Sequence, residues 1–416
     1  MKRMRNHRPP WPLLGLLVLC MQAFGQEAES GVTVPVTITG EGLYTHRLQS
    51  ADANASPATG AFHAAFYPGF KLGPHWFVYS SIHVSSTPFY YNDSYEPDHR
   101  VETQVVQAFL GYTHNYGTTS VVFKAGKLAS AFGAFPLHYD DADNPLLDQP
   151  LPYTAYLKLR ADQLPCGVDD LLGQPYVGSA NYACGGASGS GGGLTPVTLY
   201  GLPGVEVDLS THKIDARIQL TNSSPVNPQS LLSGSQHAQW TAGAGYSLVQ
   251  GFRVGVSAYR GPFLDRSVAG FLPAGHSVRD FPATGAGLDA QWARGRWSTT
   301  GEWQWFRFDY PNFRHSPTSS FGYAEVKAVL HPRTYLAFRA GYQRNGRVED
   351  TYEWSTESFA PNVQSYEFAV GFRPNRWQLL KIGYEWLHGE EISGTRDNVF
   401  GIQLVTSIQT LSKAIR

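Results

Sequence analysis

Charged side chains recur along this chain one at a time, each set among apolar neighbours. The acids are Asp215, Asp289, Glu302, Glu325, Glu367 and Glu385; the bases are Lys124, Arg217, Arg253, Lys327, Arg339, Arg373 and Lys381. Such groups act on ions when they face the same water. A ring of one sign selects ions strongly, whereas a mixed set implies weak selectivity and a field running from one sign to the other. A second group of carboxylates, Asp140, Asp141, Asp143 and Asp148, lies close together in sequence. Clustered carboxylates suit a hard cation such as Ca²⁺, but an acidic loop in water is the simpler account, and no metal or cofactor is expected. Covalent chemistry has less support. A nucleophile needs a base beside it, yet no G-x-S-x-G or H-E-x-x-H run occurs and the 14 histidines are scattered. An enzyme is not expected.

What positions the charges is a period of two. In the stretch KIDARIQLTN, Ile214, Ala216, Ile218 and Leu220 alternate with Asp215, Arg217, Gln219 and Thr221. Successive side chains of a β-strand point to opposite faces. A soluble sandwich turns the apolar face inward. A membrane barrel turns it to lipid and lines a wet lumen with the polar face. One strand fits both, so the whole chain must decide.

A spanning strand needs about 9–11 residues, and about sixteen alternating stretches of that size can be marked. They run near 32–46, 62–72, 76–87, 101–115, 118–128, 196–210, 213–222, 239–249, 252–260, 283–293, 297–309, 320–330, 334–344, 363–373, 377–388 and 398–408. The stretch 101–115 is the least regular, because Val105 and Phe109 share a face with Gln107. The connections strictly alternate. Tight ones, such as Tyr116-Gly117, Gln250-Gly251 and Gly295-Arg296, take turns with long ones near 47–61, 88–100, 129–195, 223–238, 261–282, 310–319, 345–362 and 389–397. An up-and-down barrel has long loops at one rim and tight turns at the other; a Greek-key sandwich has no reason to keep that order. The expected fold is all-β: a transmembrane up-and-down antiparallel barrel of about sixteen strands, with long extracellular loops and short periplasmic turns. Trp76, Trp240, Trp297, Trp377 and Trp386 fall near strand ends, where interfacial rings belong.

Bulk properties agree. A length of 416 residues is large for one soluble all-β domain. A formal net charge of -1 gives no electrostatic case for nucleic acid or for a basic membrane patch. Lys2, Arg3 and Arg5 precede the short apolar segment Leu13–Cys20, and Ala23-Phe24-Gly25 puts small residues where a signal peptidase reads. Residues 1–25 are therefore expected to be a cleaved signal peptide and 26–416 the mature barrel. No other segment approaches the roughly twenty apolar residues of a membrane helix. Cys166 and Cys184 lie inside one glycine-rich stretch, and in an exported chain they are expected to form a disulfide.

The long third connection carries a resemblance. Phe123-Lys124-Ala125-Gly126-Lys127, then Phe132-Gly133, Pro145-Leu146-Leu147 and Pro150-Leu151-Pro152-Tyr153, resembles the phosphate-selective porin O and P family and its broader relatives. The resemblance implies a sixteen-stranded, usually trimeric barrel whose third long loop folds inward and narrows the pore. The chain departs from that family in its charge. Phosphate capture wants clustered Lys and Arg, but this loop holds Asp140, Asp141, Asp143, Asp148, Asp162, Asp169 and Asp170 against Lys158 and Arg160. It also ends on Ile415-Arg416, where outer-membrane barrels commonly end on an aromatic residue.

The sequence thus points to an outer-membrane porin of the Gram-negative type, a passive channel for small hydrophilic solutes or ions, set in lipid as a homotrimer. The charges named above would line its pore, and Asp140, Asp141, Asp143 and Asp148 would sit on the constricting loop. An oligosaccharide- or anion-specific channel is the main alternative, with Tyr323 and Tyr335 as a stacking surface for sugars. An adhesive barrel is a further one.

Overall fold

The computed structural model describes residues 31–49, 53–54, 56–86, 100–135, 140–172, 181–188, 193–198, 201–234, 236–389 and 398–408. The expected signal peptide, residues 1–25, lies outside them.

Sixteen antiparallel strands form one closed barrel. They are β1 (Val36–Thr45), β2 (Ala58–Phe66, resuming as Gly69–Leu72), β3 (Trp76–Ser86), β4 (Val101–Tyr116), β5 (Thr119–Leu128), β6 (Leu202–Ser210), β7 (Ile214–Thr221) and β8 (Gln239–Val249). The circuit continues through β9 (Phe252–Pro262), β10 (Pro282–Arg294), β11 (Trp297–Phe308), β12 (Thr318–His331), β13 (Thr334–Asn345), β14 (Val363–Phe372), β15 (Gln378–Gly389) and β16 (Val399–Ile408). Each strand pairs with its sequence neighbours, and β1 pairs with β16 from Val36↔Ile408 to Thr45↔Val399, which closes the sheet. Closure leaves no edge with unpaired amides.

Side-chain exposure is the reverse of a soluble protein's. On β7, Ile218 is 64% exposed while the adjacent Gln219 is 1% exposed. The same inversion runs along β8, β13, β15 and β16, with apolar residues outward and polar ones inward. An apolar belt of this extent is solvated by lipid, not by water. All five tryptophans expected at strand ends are exposed on the outer surface.

Three local features refine the sequence expectations. First, β2 breaks at Tyr67-Pro68, and the two-residue strand Val32–Thr33 is cut from β1 by Pro35. Proline has no amide hydrogen for a ladder bond; its carbonyl still works, since Pro35 O accepts from Tyr67 N at 3.0 Å. The register survives both breaks (Val36↔Phe66, Val32↔Phe70). Second, a β-bulge at Val106 explains the irregular stretch in β4. Ser81 pairs with Gln107 and Ile82 with Val105, so the extra residue switches the parity. Val105 then faces out, and Gln107 and Phe109 face in. Third, β6 begins at Leu202, not near 196. Thr198 N instead donates to Pro225 O at 2.9 Å, tying that segment to another loop.

The tight turns follow their residues. Gly117 (φ 59) and Gly295 (φ 62) take left-handed conformations that two-residue hairpins need. Asn375 Oδ1 caps its turn by accepting from Trp377 N at 2.8 Å and Gln378 N at 3.0 Å. On the inner wall, several large side chains lie flat across a glycine of the next strand: Phe77 across Gly111, Arg253 across Gly245, Asp289 across Gly255, Tyr259 across Gly285 and Tyr335 across Gly371. A Cβ at any of these glycines would collide with the ring or head group.

The inner face is not polar throughout. Toward the long-loop rim, Tyr259, Phe306, Phe308, Phe321 and Tyr323 of β9, β11 and β12 bury against Phe132, Tyr153, Leu157, Leu159 and Leu194 of the third long loop. The main hydrophobic core therefore lies inside the barrel, between wall and loop. Cys166 and Cys184 are joined by a disulfide within this lobe, with their Cα atoms 4.9 Å apart.

Candidate functional site: the lumen and its inward loop

Loop three enters the lumen immediately after β5. Gln219 of β7 holds its first turn, donating to Ala129 O and accepting from Ala131 N at 3.0 Å. Arg217 donates to Gly133 O at 2.8 Å, and Ser257 Oγ of β9 accepts from Gly133 N at 3.1 Å. Glu302 of β11 accepts from Phe135 N (2.9 Å), Tyr153 Oη (2.7 Å) and Tyr323 Oη (2.7 Å).

The loop tip reaches strands far away in sequence. Tyr67 Oη donates to Asp140 at 2.5 Å, and Thr37 Oγ1 donates to it at 3.2 Å. Thr39 Oγ1 donates to Asp141 at 2.6 Å, and His63 Nδ1 lies 2.7 Å from the same carboxylate. From there the chain returns along β16, β15, β14 and β13. Gln403 donates to Leu147 O at 3.0 Å. Lys381, 0% exposed, donates to Leu146 O (2.8 Å), Asp141 O (3.1 Å) and Asn144 O (3.4 Å). Glu367 accepts from Leu147 N at 2.8 Å and Asp148 N at 3.2 Å. Arg339, 2% exposed, donates to Asp148 O (2.9 Å) and pairs with Glu325 (2.7 Å) and Glu367 (3.1 Å).

The sequence-predicted charges thus fall into two sets. Glu302, Arg339, Glu367, Lys381 and Arg217 grip the backbone of loop three, and Glu325 neutralises Arg339. The others lie along the wall. Lys124 bridges Glu206 (2.6 Å) and Asp208 (2.5 Å). Arg253 bridges Asp215 (2.6 Å) and Asp289 (2.5 Å). Lys327 places its Nζ 4.6 Å from the ring centroid of Tyr335. Arg373 is half-buried just beyond β14, and Glu385 is buried on the inner face of β15 opposite Glu367. The bases Arg217, Arg339 and Lys381 meet carbonyl oxygens of the loop, so their field acts on its backbone.

The loop acids are not one cluster either. Asp140 and Asp141 turn to separate wall partners, Asp148 Oδ1 accepts from Gln149 N at 2.6 Å, and Asp143 is exposed. Burial pushes the Asp141 carboxyl up, but the charge and hydrogen bond of His63, with Lys381 and Thr39, outweigh it and hold the group well below the usual range. For Asp140 burial wins over the Tyr67 and Ala142 hydrogen bonds, with Asp141 and Asp143 adding repulsion, and its carboxyl is held up. Tyr323 and Tyr335 are 6% and 4% exposed, with hydroxyls on Glu302 and Pro145 O; they brace the loop and offer no open face.

Sequence reasoning placed Gln219 on the inner face but missed Glu206, Asp208, His63 and Gln403. The first two were readable, since Val205, Val207 and Leu209 alternate with them on β6. A chain of contacts extends from the tip: His63 Nε2 lies 3.1 Å from His83 Nδ1, and His83 Nε2 lies 3.0 Å from Ser81 Oγ.

No family model matches the sequence, and no curated protein matches it. Solved structures do. The outer membrane channel DcaP of Acinetobacter baumannii aligns over 92% of this chain and 99% of its own, at 11% identity and a TM-score of 0.53. The anion-selective porin from Comamonas acidovorans aligns over 91% and 100%, at 8% identity and a TM-score of 0.52. OmpT, an outer membrane protein of Vibrio cholerae, aligns over 93% and 100%, at 9% identity and a TM-score of 0.51. At such identities the likeness is one of architecture, and the fold of this chain is the porin-type barrel.

Proposed function

We propose that this chain is an outer-membrane porin, a passive channel for small hydrophilic solutes with weak ionic selectivity. The observation that carries the reading is loop three, held inside the barrel by wall groups from β1, β2, β7, β9, β11 and β13 to β16. A loop fixed at mid-barrel narrows a lumen to a set width, which is what a size-limiting channel requires. Mixed wall charges, largely paired with one another, support weak selectivity. The lipid-facing belt, the rim of long loops and the leader-like residues 1–25 support export to a Gram-negative outer membrane, and the porin resemblance supports a homotrimer. Among the described residues, Ser81 beside His83 is the nearest approach to a nucleophile and base, but Ser81 is 2% exposed and the chain behind it ends on the loop tip, so we read it as part of the loop's mooring.

Planar-bilayer recording of refolded mature protein tests the reading. Discrete open steps, in threes for a trimer, with a small reversal potential in a salt gradient are expected. A folded, heat-modifiable barrel without conductance would refute it.

A further inference from the structure

The inward aromatics of this barrel are of two kinds. Those on β9, β11, β12 and β13 are covered by loop three: Tyr259, Phe306 and Phe321 are fully buried, and Tyr323 and Tyr335 nearly so. Those on β3 and β4 are only half-buried, though they point the same way. Phe77 and Tyr79 share the inner face of β3 with Ser81 and His83, and Tyr79 pairs directly with Phe109. Trp76 and Leu110 mark the opposite, lipid-facing side.

These three rings are contiguous, Phe109 standing edge-on to Phe77 (82°) and tilted 42° from Tyr79. Phe109 lies 5.5 Å from Tyr79 and 6.0 Å from Phe77, centroid to centroid. Phe77 is laid flat on Gly111. Lys124 Nζ sits 5.5 Å from the Phe109 centroid and continues into the ion pairs with Glu206 and Asp208. A packed core would have covered such rings, and leaving them half-open to lumen water is costly. An aromatic face edged by both a donor and acceptors matches a solute with an apolar C–H face and a rim of hydroxyls, which both donate and accept. It suits anions poorly, since one base stands there between two carboxylates.

We propose that Phe77, Tyr79 and Phe109 form a stacking strip for neutral carbohydrates, with Lys124 and Asp208 bonding the sugar hydroxyls. This rests on the channel reading and names its solute class. Maltotriose and inorganic phosphate are the probes, read in two ways: block of bilayer current, and titration calorimetry on the refolded barrel. Maltotriose is expected to bind and to block. Phe109→Leu, which keeps apolar bulk but removes the ring face, is expected to raise its half-blocking concentration about five- to tenfold with little change in open conductance. Tyr79→Phe, which keeps the ring, is expected to retain the block. A barrel that conducts but does not bind maltotriose overturns this inference alone. So does a block unchanged in Phe109→Leu, or phosphate blocking more tightly than maltotriose. A barrel that binds maltotriose without conducting overturns the channel reading and leaves the strip standing.

Discussion

Replacing Lys381 with methionine should release loop three while leaving the barrel intact. The ammonium is fully buried and touches three carbonyls of the loop, two of them within 3.1 Å. A hydrogen bond to a charged group contributes about 1.5 kcal/mol at the low end, so the two short ones give about 3 kcal/mol. Methionine avoids the desolvation of the ammonium but strands buried carbonyls, which leaves a net loss of about 2 kcal/mol. That corresponds to a roughly 30-fold larger undocked population. Barrel hydrogen bonds do not involve this side chain, so heat-modifiable migration should be unchanged. The assay is limited proteolysis within residues 140–148, which follows the open population when reclosing is fast. Cleavage about 30-fold faster, with noisier single-channel current, is expected. A folded Lys381→Met barrel with wild-type cleavage and quiet current would refute the view that wall charges act as moorings.

Neighbouring positions on β7 should respond oppositely. Ile218→Arg puts a charge into lipid and should cost about 2–4 kcal/mol near the midplane by equilibrium unfolding; Arg217→Ile should leave barrel stability nearly unchanged but deprive Gly133 O of its donor and speed proteolysis at the start of loop three, and equal barrel stability in both variants would sink the inside–outside assignment. Asp141 is held below the usual carboxylate range, so its contribution to loop docking is present above about pH 4 and is lost only as pH falls below that toward its depressed value. Asp140, held up, acts in the opposite direction, since its protonation favours docking. Asp141→Asn should therefore lower the protection of loop three across the range above about pH 4, measured by limited proteolysis. Removing the Cys166–Cys184 bond by paired serine substitution should destabilise the loop-three lobe by about 3 kcal/mol, seen as earlier proteolysis of the lobe with barrel melting unchanged.

The barrel was legible because its period-two pattern is local. Every one of the marked stretches became a strand, and even the irregular one carried its own sign, since strict alternation would put Val105 on the face of Gln107 and the bulge at Val106 is what separates them. Pro35 and Pro68 could have announced the breaks beside them. The mooring of loop three was not legible. Its partners are separated by long stretches of chain (Asp141 from Lys381, Leu147 from Gln403), and no spacing rule links them. The charges at 217, 302, 339, 367 and 381 looked like pore-lining groups because they alternate with apolar residues. Alternation reveals which face a side chain takes, not whether a loop will lie against it. The aromatic core under loop three was hidden for the same reason: Phe306 and Phe308 read as wall residues until the loop supplies their other half.

The glycines beneath large inward side chains bear on electrical resistance. A pore's conductance follows its open area, and area depends on how far side chains stand off the wall. At Phe77 and Arg253, which stay partly exposed, the side chain lies across a neighbouring glycine and projects little. Calibre is thereby set by residue pairs at each level, separately from strand number. Exchanging a glycine for alanine would tip its partner toward the axis and add resistance at one depth, while the hydrogen-bond ladder that closes the barrel stays as it is. Such a barrel can be re-bored level by level without being rebuilt.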